Sequence, residues 1–215
     1  MAFHDERCRD LFLVDAAVPA FMGTSKYDIE GLDLSDDHYT VEQNLVRNQY
    51  KALDDHGNTV LEGKQETFKL KEEFPFVDGN GETVFTINAQ QIRDYEGQYV
   101  LTDARSGDDI VVLDHEYSLL EQITGATWTI RDAETDAELA EITSRKFVGL
   151  FRRGLLGNLI PHHYEITDAD GGHVGSISGQ LSMKDRYDVR IDDASTVPRE
   201  PVVAAAMVID AIEGN

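Results

Sequence analysis

Five times between Tyr50 and Gly172 an aromatic residue is followed, four positions later, by an aspartate. The copies are Tyr50 to Asp54, Phe74 to Asp78, Tyr99 to Asp103, Trp128 to Asp132 and Tyr164 to Asp168. An aromatic, x, apolar, x pattern has the period of a strand with one buried face. Aspartate accepts hydrogen bonds from backbone two residues on, and glycine supplies positive φ, so the pair marks a hairpin turn. Glycine follows the aspartate by three or four positions at Gly57, Gly81, Gly107 and Gly171, and Asp136 stands in its place in the Trp128 copy. A second apolar stretch comes after each turn, as in Thr83-Val-Phe-Thr-Ile and Asp109-Ile-Val-Val-Leu. Each copy is therefore a predicted hairpin. Flanking strands at Tyr39 to Leu45 and Tyr187 to Ile191 bring the total to about twelve. A meander of that many antiparallel strands can close on itself, which removes its edges.

The end of the chain breaks the pattern. From Val202 to Ile209 no side chain is polar. Pro198 and Pro201 suit a helix start and Gly214 a stop, which predicts a helix over about 199–213. A helix apolar all round is ordinarily buried. Ala204, Ala205 and Ala206 keep it thin, as a narrow barrel lumen requires. The expected fold is mainly β: a closed antiparallel barrel of about twelve strands enclosing this C-terminal helix. The apolar run is shorter than the about 20 residues needed to span a bilayer, and Asp210 interrupts it. Residues 1–37 read as an N-terminal segment that packs on the barrel or hangs free, and 38–215 as the barrel domain.

Charge narrows the partners. There are 41 acidic residues against 19 basic, a formal net charge of -22. Such a surface repels phosphate backbones, so no nucleic acid partner is expected. Aspartates (24) outnumber glutamates (17) and arginines (12) outnumber lysines (7), spread along the chain. An Asp-rich, Lys-poor surface resembles that of proteins from extreme halophiles such as haloarchaea, where salt screens the self-repulsion. The lone cysteine, Cys8, allows no intrachain disulfide and fits a reducing cytoplasm. The acidic start, with Asp5, Glu6 and Asp10, does not read as a signal peptide.

The recurrent hairpins, Tyr187-x-Val-x-Ile and the terminal Ala204-Ala-Ala-Met-Val-Ile-Asp210 together resemble the LURP-one-related proteins. These are grouped with the phospholipid scramblases and the tubby C-terminal domain. The resemblance covers about residues 38–215. It implies a twelve-stranded barrel threaded by a hydrophobic C-terminal helix, with phosphoinositide binding through basic residues in the tubby branch. The scramblase branch carries an Asp-rich calcium segment before the helix. The matching stretch here, Lys184 to Asp193, departs from it, because Lys184, Arg186 and Arg190 are interleaved with its acids.

One stretch stands apart from the acidic background. Thr143 to Tyr164 contains no Asp or Glu, but holds Arg145, Lys146, Arg152 and Arg153 among bulky apolar residues such as Phe147, Leu150 and Phe151. Cations mixed with apolar side chains suit an anionic lipid surface, and equally an acidic protein partner. They also suit a long connection whose apolar residues are core and whose arginines pair with local acids. Gly149, Gly154 and Gly157 weaken any continuous helix there. Asp168-Ala-Asp170-Gly171-Gly172 lacks the further ligands of a calcium loop and reads as a hairpin turn. His162 and His163 are adjacent, so a strand points them to opposite faces. Gly171-Gly-His-Val-Gly175 lacks the Lys-Ser/Thr of a phosphate loop, and no Gly-x-Ser-x-Gly occurs. The expectation is a cytoplasmic, non-enzymatic binding or tethering module without cofactor or metal, peripheral to a membrane where it engages lipid. A purely structural or protein-interaction barrel and a scramblase-like lipid transporter are the alternatives.

Overall fold

The computed structural model describes residues 26–44, 49–64, 73–93, 96–116, 126–144, 163–180 and 186–213. Twelve strands form one closed antiparallel barrel. They are β1 (His38–Asn44), β2 (Gln49–Leu53), β3 (Thr59–Lys64), β4 (Glu73–Val77), β5 (Thr83–Arg93) and β6 (Glu96–Asp103). They continue as β7 (Asp109–Glu116), β8 (Thr127–Asp132), β9 (Glu138–Ser144), β10 (His163–Asp168), β11 (His173–Gly179) and β12 (Arg186–Ile191). Each strand pairs with its neighbour in sequence, and β1 closes the ring against β12, with Tyr39 opposite Val189 and Val41 opposite Tyr187. One helix, α1 (Arg199–Glu213), follows β12.

The repeat accounts for this order. Within each copy the aromatic, the residue two on and the aspartate lie on one face of the strand. That face is the inner one. Tyr50, Phe74, Tyr99, Trp128 and Tyr164 are all buried, as are Ala52, Phe76, Leu101, Ile130 and Ile166. The aromatics thus share a level near one rim, and the aspartates share the other. Trp128 stacks on His115 with ring centroids 4.3 Å apart, and Tyr99 sits 5.9 Å from Trp128. Phe76 and Phe85 stack at 4.6 Å, one level nearer the aspartates. Where the wall is tightest the chain has glycine: a Cβ on Gly175 would lie 2.1 Å from the carbonyl oxygen of Arg190 on β12.

Every residue of α1 from Val202 to Ile209 is buried, and these side chains join the strand residues in one hydrophobic cluster. Helix contacts are strongest with β1, β2 and β12. Full burial of a Val, Ile or Met side chain contributes about 1.5–3 kcal/mol each. Val197 and Pro198, just before the helix, are buried too. So are Ile29, Leu32 and Leu34 from the segment that leads into β1. Leu11 to Met22 and Cys8 lie outside the described residues.

Candidate functional site

An antiparallel meander sends alternate connections to alternate ends. The five Asp turns join β2 to β3, β4 to β5, β6 to β7, β8 to β9 and β10 to β11, so all five lie at one rim. The start of β1, the end of β12 and the start of α1 lie there too: the Ile191 amide donates to the Asp37 carbonyl, and Arg199 pairs with Asp37 at 2.5 Å.

At this rim the aspartates hold their own turns. The Asp54 Oδ1 accepts from the amides of His56 (2.9 Å) and Asn58 (2.7 Å). Asp78 repeats this with Asn80 and Glu82, and Asp168 with Asp170 and Gly172. Side-chain donation from Asn58 lowers the Asp54 carboxyl below its ordinary range, and the Glu82 amide does most for Asp78. Gly57, Gly81, Gly107 and Gly171 have φ between 77° and 86°, and Asp136 takes the same left-handed conformation at 59°.

The turns at Asp103 and Asp132 are one residue longer. Asp54 closes its loop with Asn58, but Asp103 closes with Asp108 and Asp132 with Ala137. Their Oδ1 atoms serve the turn, and their Oδ2 atoms face residues 26–30. The Glu30 amide donates to Asp103 Oδ2 at 2.8 Å. The Tyr27 hydroxyl (2.6 Å) and the Lys26 ammonium (2.8 Å) both reach Asp132 Oδ2. Arg105 then meets Glu30 at 3.2 Å. Burial alone would raise the Asp132 carboxyl. Donation from Lys26, Tyr27 and Thr135 outweighs it and holds the group far below the usual carboxylate range. Tyr27 is pushed up to about 12, by burial first and by Asp132 second. This docking was not read from the repeat. Its signal was there: the spacing from Asp to the left-handed turn residue is four at Asp103 (Gly107) and Asp132 (Asp136), against three elsewhere. Chemically this rim is occupied by its own chain, with turn carboxylates engaged in hydrogen bonds.

The opposite rim carries the ends of the remaining connections, and β9 ends there at Ser144 while β10 begins at His163. Residues 145–162 join these two hydrogen-bonded neighbours, for which a hairpin needs only about 2–5 residues. Arg145, Lys146, Arg152 and Arg153 lie outside the described residues, as does His162. Of the groups beside them, His163 is exposed and its Nδ1 lies 2.8 Å from Ser178 Oγ. Ser144 is buried and its hydroxyl accepts from the Ala126 amide at 2.8 Å. Among the described residues no group of three or more His, Cys, Asp and Glu side chains is arranged to hold a metal ion. Among them, no helix is long and apolar enough to cross a membrane, which says nothing of a β-barrel.

No curated protein matches this sequence. The X-ray structure of a protein from Arabidopsis thaliana aligns over 85% of this chain and 99% of its own length, at 13% identity and a TM-score of 0.36. The family model described as LURP-one-related matches residues 59–210. That match runs from the first strand after the Asp54 turn, through all four later copies of the repeat, to Asp210 in α1. The chain belongs to the LURP-one-related family.

Proposed function

We propose that this barrel is a non-enzymatic tethering module that engages anionic lipid headgroups through Arg145, Lys146, Arg152 and Arg153. The observation that carries this reading is the position of the two strand ends that residues 145–162 connect. These ends, Ser144 and His163, stand at the rim away from the five Asp turns. A cationic, apolar-rich stretch in a chain of net charge -22 meets an anionic surface best away from the five turn aspartates. Each Lys or Arg held near an anionic bilayer contributes about 1 kcal/mol. Four of them offset the repulsion from the rest of the molecule only if the acidic rim points away. Within this proposal the barrel closes around α1 as a rigid core, supported by the burial of Val202 to Ile209. Location is then peripheral to a membrane, on its cytoplasmic face. The acid excess is read as adaptation to high salt.

Vesicle flotation tests it. The full chain should float with phosphatidylserine-containing vesicles and not with phosphatidylcholine alone. Replacing Arg145, Lys146, Arg152 and Arg153 together by Ala should abolish flotation. Binding by neither protein overturns the lipid reading and favours an acidic protein partner or a purely structural barrel. Binding that survives the substitutions moves the site elsewhere.

A further inference from the structure

We infer that the seam where the barrel closes is a proton-operated clamp, built from His38 and His173 and the four carboxylates that face them. The clamp is independent of any lipid reading. His38 is the first residue of β1, and its Nδ1 lies 2.6 Å from Asp55 Oδ1 in the β2–β3 turn. Its Nε2 lies 3.2 Å from Asp188 Oδ1 on β12. His173 begins β11. Its Nε2 lies 3.0 Å from Asp192 Oδ2, just past β12, and its Nδ1 lies 3.5 Å from Glu165 Oε1 on β10. In both cases each ring nitrogen faces a carboxylate oxygen.

A neutral imidazole has one N–H and one lone pair, whereas a carboxylate only accepts. One of the two contacts is then lone pair against lone pair. Only the imidazolium donates to both. The two rings therefore cross-link four consecutive strands of the wall, β10, β11, β12 and β1, and the β2–β3 turn, when they are charged. These strands include the pairing of β1 with β12 that closes the ring. Asp188 is braced for this by Gln180, whose amide donates to its other oxygen at 2.7 Å. The Asp55 amide donates to Asp36 Oδ2 at 3.4 Å, so a further carboxylate stands on the His38 side. Arg190, the register partner of His38, is the nearby cation that opposes the charge. Around His173 the facing groups are Asp192 and Glu165.

Donation to Asp192, then to Glu165, raises the His173 pKa above its ordinary value of 6.5. A raised value stabilises the fold fully below the unfolded pKa, and the contribution is lost as pH rises through the folded one. Mild acid therefore tightens the hold of His173 on β10 and the end of β12, beside the seam, and alkali loosens it. Both rings are partly exposed, so solvent screens part of the effect.

The test is thermal unfolding of the full chain at fixed KCl, at pH 5.5 and 8.5, for the wild type and the H38Q/H173Q double variant. The wild type should melt about 2–4 °C above the variant at pH 5.5 and level with it at pH 8.5. An equal difference at both values, or none at either, overturns the clamp. If the double variant does not fold, D188N/D192N keeps both imidazoles and should flatten the same pH dependence. Amide exchange, corrected for its intrinsic pH dependence, localises the effect. Raised pH should loosen β1, β11 and β12 before β5, β6 and β7. Uniform loosening overturns the assignment to the seam.

Discussion

The Tyr27 hydroxyl donates to Asp132 Oδ2 at 2.6 Å across 105 residues of chain, and the Lys26 ammonium shares the same oxygen. One carboxylate, already closing its own hairpin through Glu134 and Thr135, thereby fastens the entry of the chain to the rim of the barrel. Asp132 is almost fully buried, so its hydrogen bonds are shielded and costly to break.

Asp132→Asn should therefore destabilise the fold by about 1–3 kcal/mol, measured by urea unfolding, because the amide cannot accept at both oxygens. Asp54→Asn should cost less, because among the described residues the Asp54 carboxylate bonds only to His56 and Asn58 of its own turn. The pH dependence follows from the direction of the shift. The folded carboxyl at Asp132 is depressed, so its contribution is present above the ordinary carboxylate pKa and is lost as pH falls below it. Acid unfolding of the wild type, followed by circular dichroism, should begin at higher pH in Tyr27→Phe, which removes one of the donors.

Backbones come very close where β11 meets β12. Gly175 lies beneath the carbonyl of Arg190, where any Cβ would overlap backbone that cannot rotate away. Gly175→Ala should cost more stability than Gly107→Ala, although Gly107 alone of the two has positive φ, at 77°, and has open space around it. Left-handed strain at Gly107 is limited to about 1–2 kcal/mol. Moving β11 off β12 disturbs a ladder and the seam together. Comparison of the two melting temperatures decides the order.

Trp128 is the only tryptophan in the chain. It is buried between His115 and Tyr99 at the level of the inner aromatic belt. Trp128→Ala should cost about 3–5 kcal/mol and Trp128→Phe much less, because the smaller ring still fills most of the space. The same residue reports on the wild type: its fluorescence should be blue-shifted when folded and red-shift in a single step with loss of the barrel.

Much of this architecture is legible in the residues because the repeat states the strand period and the turn chemistry together. Asp54, Asp78, Asp103, Asp132 and Asp168 all sit where the pattern places a hairpin head, and α1 occupies Arg199–Glu213. The family followed from the same residues. What the pattern could not convey is which turn atoms are left over for other parts of the chain. Tyr27 and Asp132 meet through the closure of the whole ring, and no local periodicity encodes a contact between a segment before the first strand and the eighth strand's turn. His38 and Asp188 are separated by 150 residues for the same reason. The basic stretch was legible only as composition, because cations among apolar residues serve a surface and a core equally well.

The helix gives the sharpest test of the architecture. Ala205 and Met207 are both buried, on a segment where every residue from Val202 to Ile209 is shielded from solvent. Ala205→Arg or Met207→Asp would place a charge with no partner in that cluster. The cost, several kcal/mol, is comparable to the whole stability of a domain, about 5–15 kcal/mol. Each variant should lose the cooperative thermal transition seen by circular dichroism. Met207→Leu conserves volume and should stay within about 1.5 kcal/mol of the wild type. If Met207→Asp keeps a native melt and loses only its association with vesicles, α1 is a binding element and the barrel is stable without it as its core.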